Sequence, residues 1–243
     1  MRLRLSLLIA AAVMTGPAFA QHEVALDEAG NNVDNTASLQ RGAKYFVNYC
    51  LGCHSAQYVR YNRLARDLQL SEGQLLENLM FTGEQPFDTM SIAMDPDDAA
   101  RWFGTPPPDL SLIARSRGTD YLYTFLRGFY VDESSPTGVD NLVLAGTAMP
   151  HVLWELQGIQ EAHVTEDPEL EGEQHMELEL VTPGSMSEAE FDGVVRDIVN
   201  FLDYIAEPMQ LERQSLGIRV IGFLLLLLVL TYMLKKEIWK DIE

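Results

Sequence analysis

Two thiols and an imidazole stand together in the run Cys50-Leu51-Gly52-Cys53-His54, and they are the sequence's clearest chemical signal. Thiols three residues apart project from a single helical turn, so both can reach the two vinyl groups on one edge of a haem. The imidazole that follows then sits beneath the iron. A thioredoxin-like dithiol needs a βαβ setting that this mostly helical pattern lacks. A structural zinc site needs four ligands, and the chain has two cysteines in all. A disulfide-stapled fold would use more pairs.

A haem held in this way needs a sixth ligand, and a methionine thioether gives the high potential of electron-transfer cytochromes because it favours ferrous iron. Met149 is the favoured residue, in the loop Ala145-Gly146-Thr147-Ala148-Met149-Pro150, where glycine permits close approach and Pro150 restrains the backbone. Met90 and Met94 are rivals, and His151 is a further alternative because bis-histidine haems exist. The two propionates need cations or hydrogen-bond donors, for which Arg115, Arg117 and Tyr121 are placed shortly after a proline run.

The elements that must position these groups are mainly α-helical. Leu39 to Tyr49 has helical spacing and delivers Cys50. Leu64 to Phe81 reads as two short helices, and Pro106-Pro107-Pro108 as a stiff extended loop. Leu110 to Arg117 and Asp120 to Phe129 read as further helices. Val152 to Val181 shows short period-two runs, which predict a small β-hairpin excursion with an acidic connection from Glu161 to Glu173. Ser187 and Glu190 form a capping box that opens an amphipathic helix carrying Phe191, Val194, Val195, Ile198, Leu202 and Ile205.

Both ends point to a membrane. Residues 1–20 combine Arg2 and Arg4, an apolar core and Ala18-Phe19-Ala20, the layout of a secretory signal peptide cleaved after Ala20. Residues 21–38 read as a loose polar leader and 39–212 as the haem domain, expected on the periplasmic side of a bacterial inner membrane. The apolar stretch 216–234 reads as a single transmembrane helix, with Lys235, Lys236 and Lys240 in a cytoplasmic tail, 235–243. Loss of Arg2 and Arg4 moves the formal charge from −19 to −21. So acidic a chain repels nucleic acid and steers basic proteins toward itself.

The ordered set Arg41-Gly42-Ala43, Cys50 to His54, Pro107-Pro108-Asp109-Leu110-Ser111, Tyr121, Met149-Pro150, and Val199-Asn200-Phe201-Leu202 to Ala206-Glu207-Pro208 before a membrane helix resembles cytochrome c1. The resemblance implies a class I cytochrome c-like domain with one covalently bound haem c. It implies Cys50 and Cys53 as thioether sites, His54 and Met149 as axial ligands, and Arg117 with Tyr121 near a propionate. It further implies an electron carrier, not an enzyme by itself, in a quinol:cytochrome c oxidoreductase. There it would sit beside cytochrome b, between a Rieske iron-sulfur protein and a soluble or tethered cytochrome c. The segment around Met149 lacks the phenylalanine-rich flank of mitochondrial members, and no further cysteine is present to brace it.

Overall fold

The computed structural model describes residues 24–92, 94–166 and 174–240. The signal segment expected over 1–20 and the acidic tip at 167–173 lie outside the described residues.

The frame is a crossing of two helices distant in sequence, α1 (Thr36–Tyr45) and α8 (Glu188–Ala206). Helix α8 buries Phe191, Val194, Val195, Ile198, Phe201, Leu202 and Ile205 along one stripe. Each large apolar side chain so buried contributes about 1.5–3 kcal/mol. Its start is the expected capping box, with the Ser187 and Glu190 side chains satisfying each other's backbone N–H groups. The helices approach closely because Gly42 has no Cβ: one built there would collide with the Asp197 carbonyl oxygen and lie 2.7 Å from Phe201 Cβ. Phe46 and Phe201 pack with ring centroids 5.3 Å apart. Beside them Asp197, 7% exposed, accepts from Arg41 Nε at 2.5 Å and from Ser38 Oγ at 2.6 Å.

Residues before α1 depart from the loose leader expected of them. Ala29 and Val33 are buried, and the strap is stitched across two helices. The Ala29 N–H donates to Asp120 and Asn31 Nδ2 to Asp203, both at 2.9 Å. Asn200, fully buried on α8, donates to the Asn32 carbonyl at 2.8 Å. The polar residues that suggested a solvated leader are the ones that pair with groups on the domain.

The shorter elements follow in chain order: β1 (Ala56–Arg60), α2 (Tyr61–Asp67), α3 (Glu72–Asn78), β2 (Thr89–Met90), α4 (Pro96–Phe103), α5 (Ile113–Arg117), α6 (Thr119–Arg127), β3 (Phe129–Val131), β4 (Val139–Asn141) and α7 (Trp154–Gln157). β1 pairs antiparallel with β2, and β3 with β4. The predicted hairpin is present as β5 (Gly158–Glu166) and β6 (Gln174–Pro183), paired antiparallel with one irregularity between Ile159 and Gln160. Helix α9 (Gln210–Ile238) follows Pro208, and 27 of its residues, Glu212–Ile238, are long and apolar enough to cross a membrane. At about 1.5 Å per residue they span about 40 Å, more than a hydrocarbon core of about 30 Å.

Candidate functional site

Helix α1 does not run regularly into the thiols. After Tyr45 it widens into a π-helical turn over Phe46–Cys50, closed by the Leu51 N–H on the Phe46 carbonyl at 2.9 Å. Such widened turns recur at functional sites. The chain then tightens, with the N–H groups of Cys53 and His54 both donating to the Cys50 carbonyl, at 3.0 and 2.8 Å. Two thiols and an imidazole therefore leave one compact turn anchored at Phe46 in the core. The two sulfurs are not joined to each other, and burial, with a lesser contribution from Cys53, pushes the Cys50 thiol up to about 12.

His54 is oriented from outside the turn. Its Nδ1 lies 2.8 Å from the Pro108 carbonyl oxygen, which can only accept, so Nδ1 carries the proton and Nε2 keeps its lone pair. Burial lowers the His54 pKa, against upward pulls from Pro108 and Asp109, and so favours the neutral ligating form. The proline loop is fastened to the turn just beyond. Asp109 Oδ2 accepts from Ser55 Oγ at 2.7 Å and from the Gln57 N–H at 2.9 Å, and the Leu110 N–H donates to the Ser55 carbonyl at 2.8 Å. The extended proline run thus serves as a fixed carbonyl rail for the imidazole.

Cys50, Cys53, His54, Arg117, Tyr121 and Met149 all line one cavity of about 440 Å³. Its remaining walls are largely apolar, with Leu122 and Phe125 from α6 and Ile198 and Leu202 from α8. That volume lies within the range of cofactor sites, about 300–1,000 Å³. Arg117 stands 5.5 Å over the Tyr121 ring. Arg115, Met90, Met94 and His151 do not line the cavity. Met90 is fully buried in β2, paired with Ala56. His151 is buried behind the wall and stacked on Phe129, and burial pushes its imidazole down to about 4, against a smaller upward pull from the Gly158 backbone.

The residues present fit a c-type haem. Two thiols, a neutral imidazole presenting a free nitrogen, a thioether, and an arginine with a tyrosine for acidic substituents all meet on an otherwise apolar cavity. Sequence reasoning missed the residues that shape the walls. Asp140 and Asn141 of β4 tie down the loop that carries Met149: Asp140 Oδ1 accepts from the Gly146 N–H at 2.7 Å, and Asn141 Oδ1 from the Val143 N–H at 2.9 Å. Their signal was an Asp-Asn pair shortly before a glycine-containing loop, a common Asx-turn pattern.

The fold and cavity define a class: a helical haem-binding domain attached to one C-terminal helix able to span a membrane. Within that class the chain belongs to the cytochrome c1 family, since the model for the Cytochrome C1 family matches residues 27–242. It is 50% identical over 219 residues to cytochrome c1 of Allochromatium vinosum, covering 90% of each chain. It is 46% identical over 221 residues to a Nitrosomonas europaea protein named ammonia monooxygenase gamma subunit, covering 91% of this chain and 90% of that one. A third relative is cytochrome b/c1 of Bradyrhizobium diazoefficiens, 26% identical over 250 residues, covering 84% of this chain and 33% of that one. Members of the family are haem-carrying electron-transfer subunits of the bc1 complex.

Proposed function

We propose that the chain holds one covalent haem c and carries single electrons from a Rieske iron-sulfur protein to a cytochrome c acceptor, as a subunit of a quinol:cytochrome c oxidoreductase beside cytochrome b. The observation that carries this reading is the convergence of Cys50, Cys53, His54, Arg117, Tyr121 and Met149 on one apolar cavity. When bound, the haem supplies a one-electron iron couple. Cys50 and Cys53 would hold it through thioether bonds, and His54 through Nε2 and Met149 through its sulfur would ligate the iron, with Pro108 fixing the imidazole tautomer. Iron ligated by both residues would offer no open site to oxygen or peroxide, and electron transfer is the chemistry such a haem would supply. Arg117 and Tyr121, on the cavity lining, would neutralise and hydrogen-bond a propionate.

The name of the Bradyrhizobium relative joins cytochrome b and c1, which supports a cytochrome b partner for this chain. The name of the Nitrosomonas protein belongs to another activity, for which the cavity of this chain offers no separate support. Residues 1–20 export the haem domain, with the strap before α1 as part of it, to the periplasm, 216–234 anchor it by a single pass, and 235–243 remain in the cytoplasm, with the lysine cluster as the positive-inside rule prefers.

The reading is tested by a reduced-minus-oxidised spectrum and redox titration of the membrane-bound protein, wild type against Met149→Leu. The variant is expected to keep its haem, lose the thioether ligand band and fall sharply in midpoint potential. An unchanged spectrum and potential would assign the sixth ligand elsewhere.

A further inference from the structure

The proposed electron-transfer role makes no use of His151, although this side chain is 7% exposed and neither of its ring nitrogens has a hydrogen-bond partner of good geometry. The position of the ring is defined by stacking. The imidazole lies parallel to Phe129, with centroids 5.1 Å apart and planes 6° from each other. Phe129 meets Phe125 edge-on at 5.2 Å, and Phe125 stacks on Tyr121 at 6.2 Å with planes 8° apart.

These rings form a continuous column that begins at the cavity and ends behind it. Tyr121 and Phe125 line the cavity, whereas Phe129 and His151 do not. His151 is joined to Met149 through Pro150 alone, whose ring restrains the backbone, and its neighbours Pro150 and Val152 both line the cavity. The far end of the same loop is held independently. Asp140 Oδ1 accepts from the Gly146 and Thr147 N–H groups, at 2.7 and 3.2 Å. Asn141, 1% exposed, accepts from Val143 and Leu144 and donates through Nδ2 to the Phe125 carbonyl at 2.8 Å. Both ends of the Met149 loop are therefore referred to Phe125, one through Asn141 and the other through the ring column.

We infer that His151 is a positioning residue for the Met149 thioether, its stacked ring fixing where the loop presents the sulfur to the cavity. The inference rests on the proposed ligation by Met149. A ring held on Phe129 two residues away restricts the Met149 backbone on one side as the Asp140 and Asn141 side chains restrict it on the other. Removal of the ring takes away one of the restraints on that side and leaves Val152 at the cavity wall and buried Leu153 to hold the chain, so the sulfur would be presented less constantly and the preference for the ferrous state would fall.

The test uses the full membrane-bound protein, comparing wild type, His151→Ala and His151→Phe by the thioether-to-iron charge-transfer band of the oxidised form and by redox titration. His151→Phe keeps a flat ring on Phe129 and is expected to match wild type within about twofold. His151→Ala is expected to weaken the band and shift the reduced-to-oxidised ratio about tenfold, which is about 59 mV for one electron. A wild-type band and potential in His151→Ala would overturn the inference, as would a His151→Phe variant that falls as far as the alanine. Should His151→Ala fail to accumulate, Phe129→Leu removes the stacking face instead: a fall in potential supports the inference and a wild-type potential overturns it. Met149→Leu in the same series separates the two levels. If it shifts the spectrum while His151→Ala does not, only the positioning role is lost; if it shifts nothing, the ligation fails and the positioning role with it.

Discussion

Nδ1 of His54 lies 2.8 Å from the carbonyl oxygen of Pro108, so the imidazole beside the two thiols takes its orientation from a loop more than fifty residues further along the chain. That loop is held by Asp109, whose carboxylate gathers donors from Ser55, Gln57 and Ser111. Burial works to raise the Asp109 pKa, but those hydrogen bonds outweigh it and hold the group below the usual carboxylate range.

An acid whose folded pKa is depressed adds stability that is present above its unfolded value, about 3.9, and is lost as pH falls through the lower folded value. Thermal unfolding of the protein in detergent should therefore show an acid limb below about pH 4 that is shallower in Asp109→Asn. At neutral pH the variant should lose about 1 kcal/mol, since the carboxylate is partly in water and screened. An acid limb identical in the two proteins would remove Asp109 from this role.

Gly42→Ala should be among the most damaging single-methyl additions to the chain, because the new Cβ meets the Asp197 carbonyl at the α1–α8 crossing. Forcing the helices apart costs about 1–3 kcal/mol. Gly52→Ala, inside the Cys50–His54 turn but with nothing within 4 Å of the new methyl, should be tolerated. Melting temperatures of the two variants, measured side by side, check the ordering.

Arg117→Gln should lower the midpoint potential while leaving the haem attached. A cation at the cavity edge favours the reduced form, which carries one positive charge fewer. Arg115→Gln, which alters a residue off the cavity wall, should shift the potential less. Redox titration showing equal shifts for both would mean that only general surface charge is being read.

Electron transfer to a basic cytochrome c should slow as ionic strength rises. The chain carries a formal charge of −19, and the Debye length falls from about 30 Å at 0.01 M to about 8 Å at 0.15 M. Stopped-flow rates that do not change over that range would discard electrostatic steering without touching the haem assignment.

Much of this arrangement was legible because it is written locally. The Cys50–His54 spacing, the proline run, the capping box at Ser187 and the apolar stretch of α9 each declare themselves within a few turns of chain. The site-forming pieces that were not legible depend on partners far away in sequence. The strap residues Ala29 and Asn31 look like solvated leader until Asp120 and Asp203 are brought against them. The pairings of β1 with β2 and β3 with β4 join strands of two to five residues, too short for any periodicity to register. His151 reads as an alternative ligand from its neighbours, and its place against Phe129 depends on a strand twenty residues earlier in the chain. The resemblance to cytochrome c1 rested on the local motifs, and the family match covers the same ground.

The central claim is that one haem is bonded to the sulfurs of Cys50 and Cys53, and it is tested most directly by the intact mass of the purified, denatured chain after acidified-acetone extraction. Wild-type protein should retain the mass of a single haem, a Cys50→Ser, Cys53→Ser double variant should retain none, and the extracted wild-type pellet should stay red. A wild-type chain that leaves extraction colourless, with both thiols open to alkylation, would contradict the account.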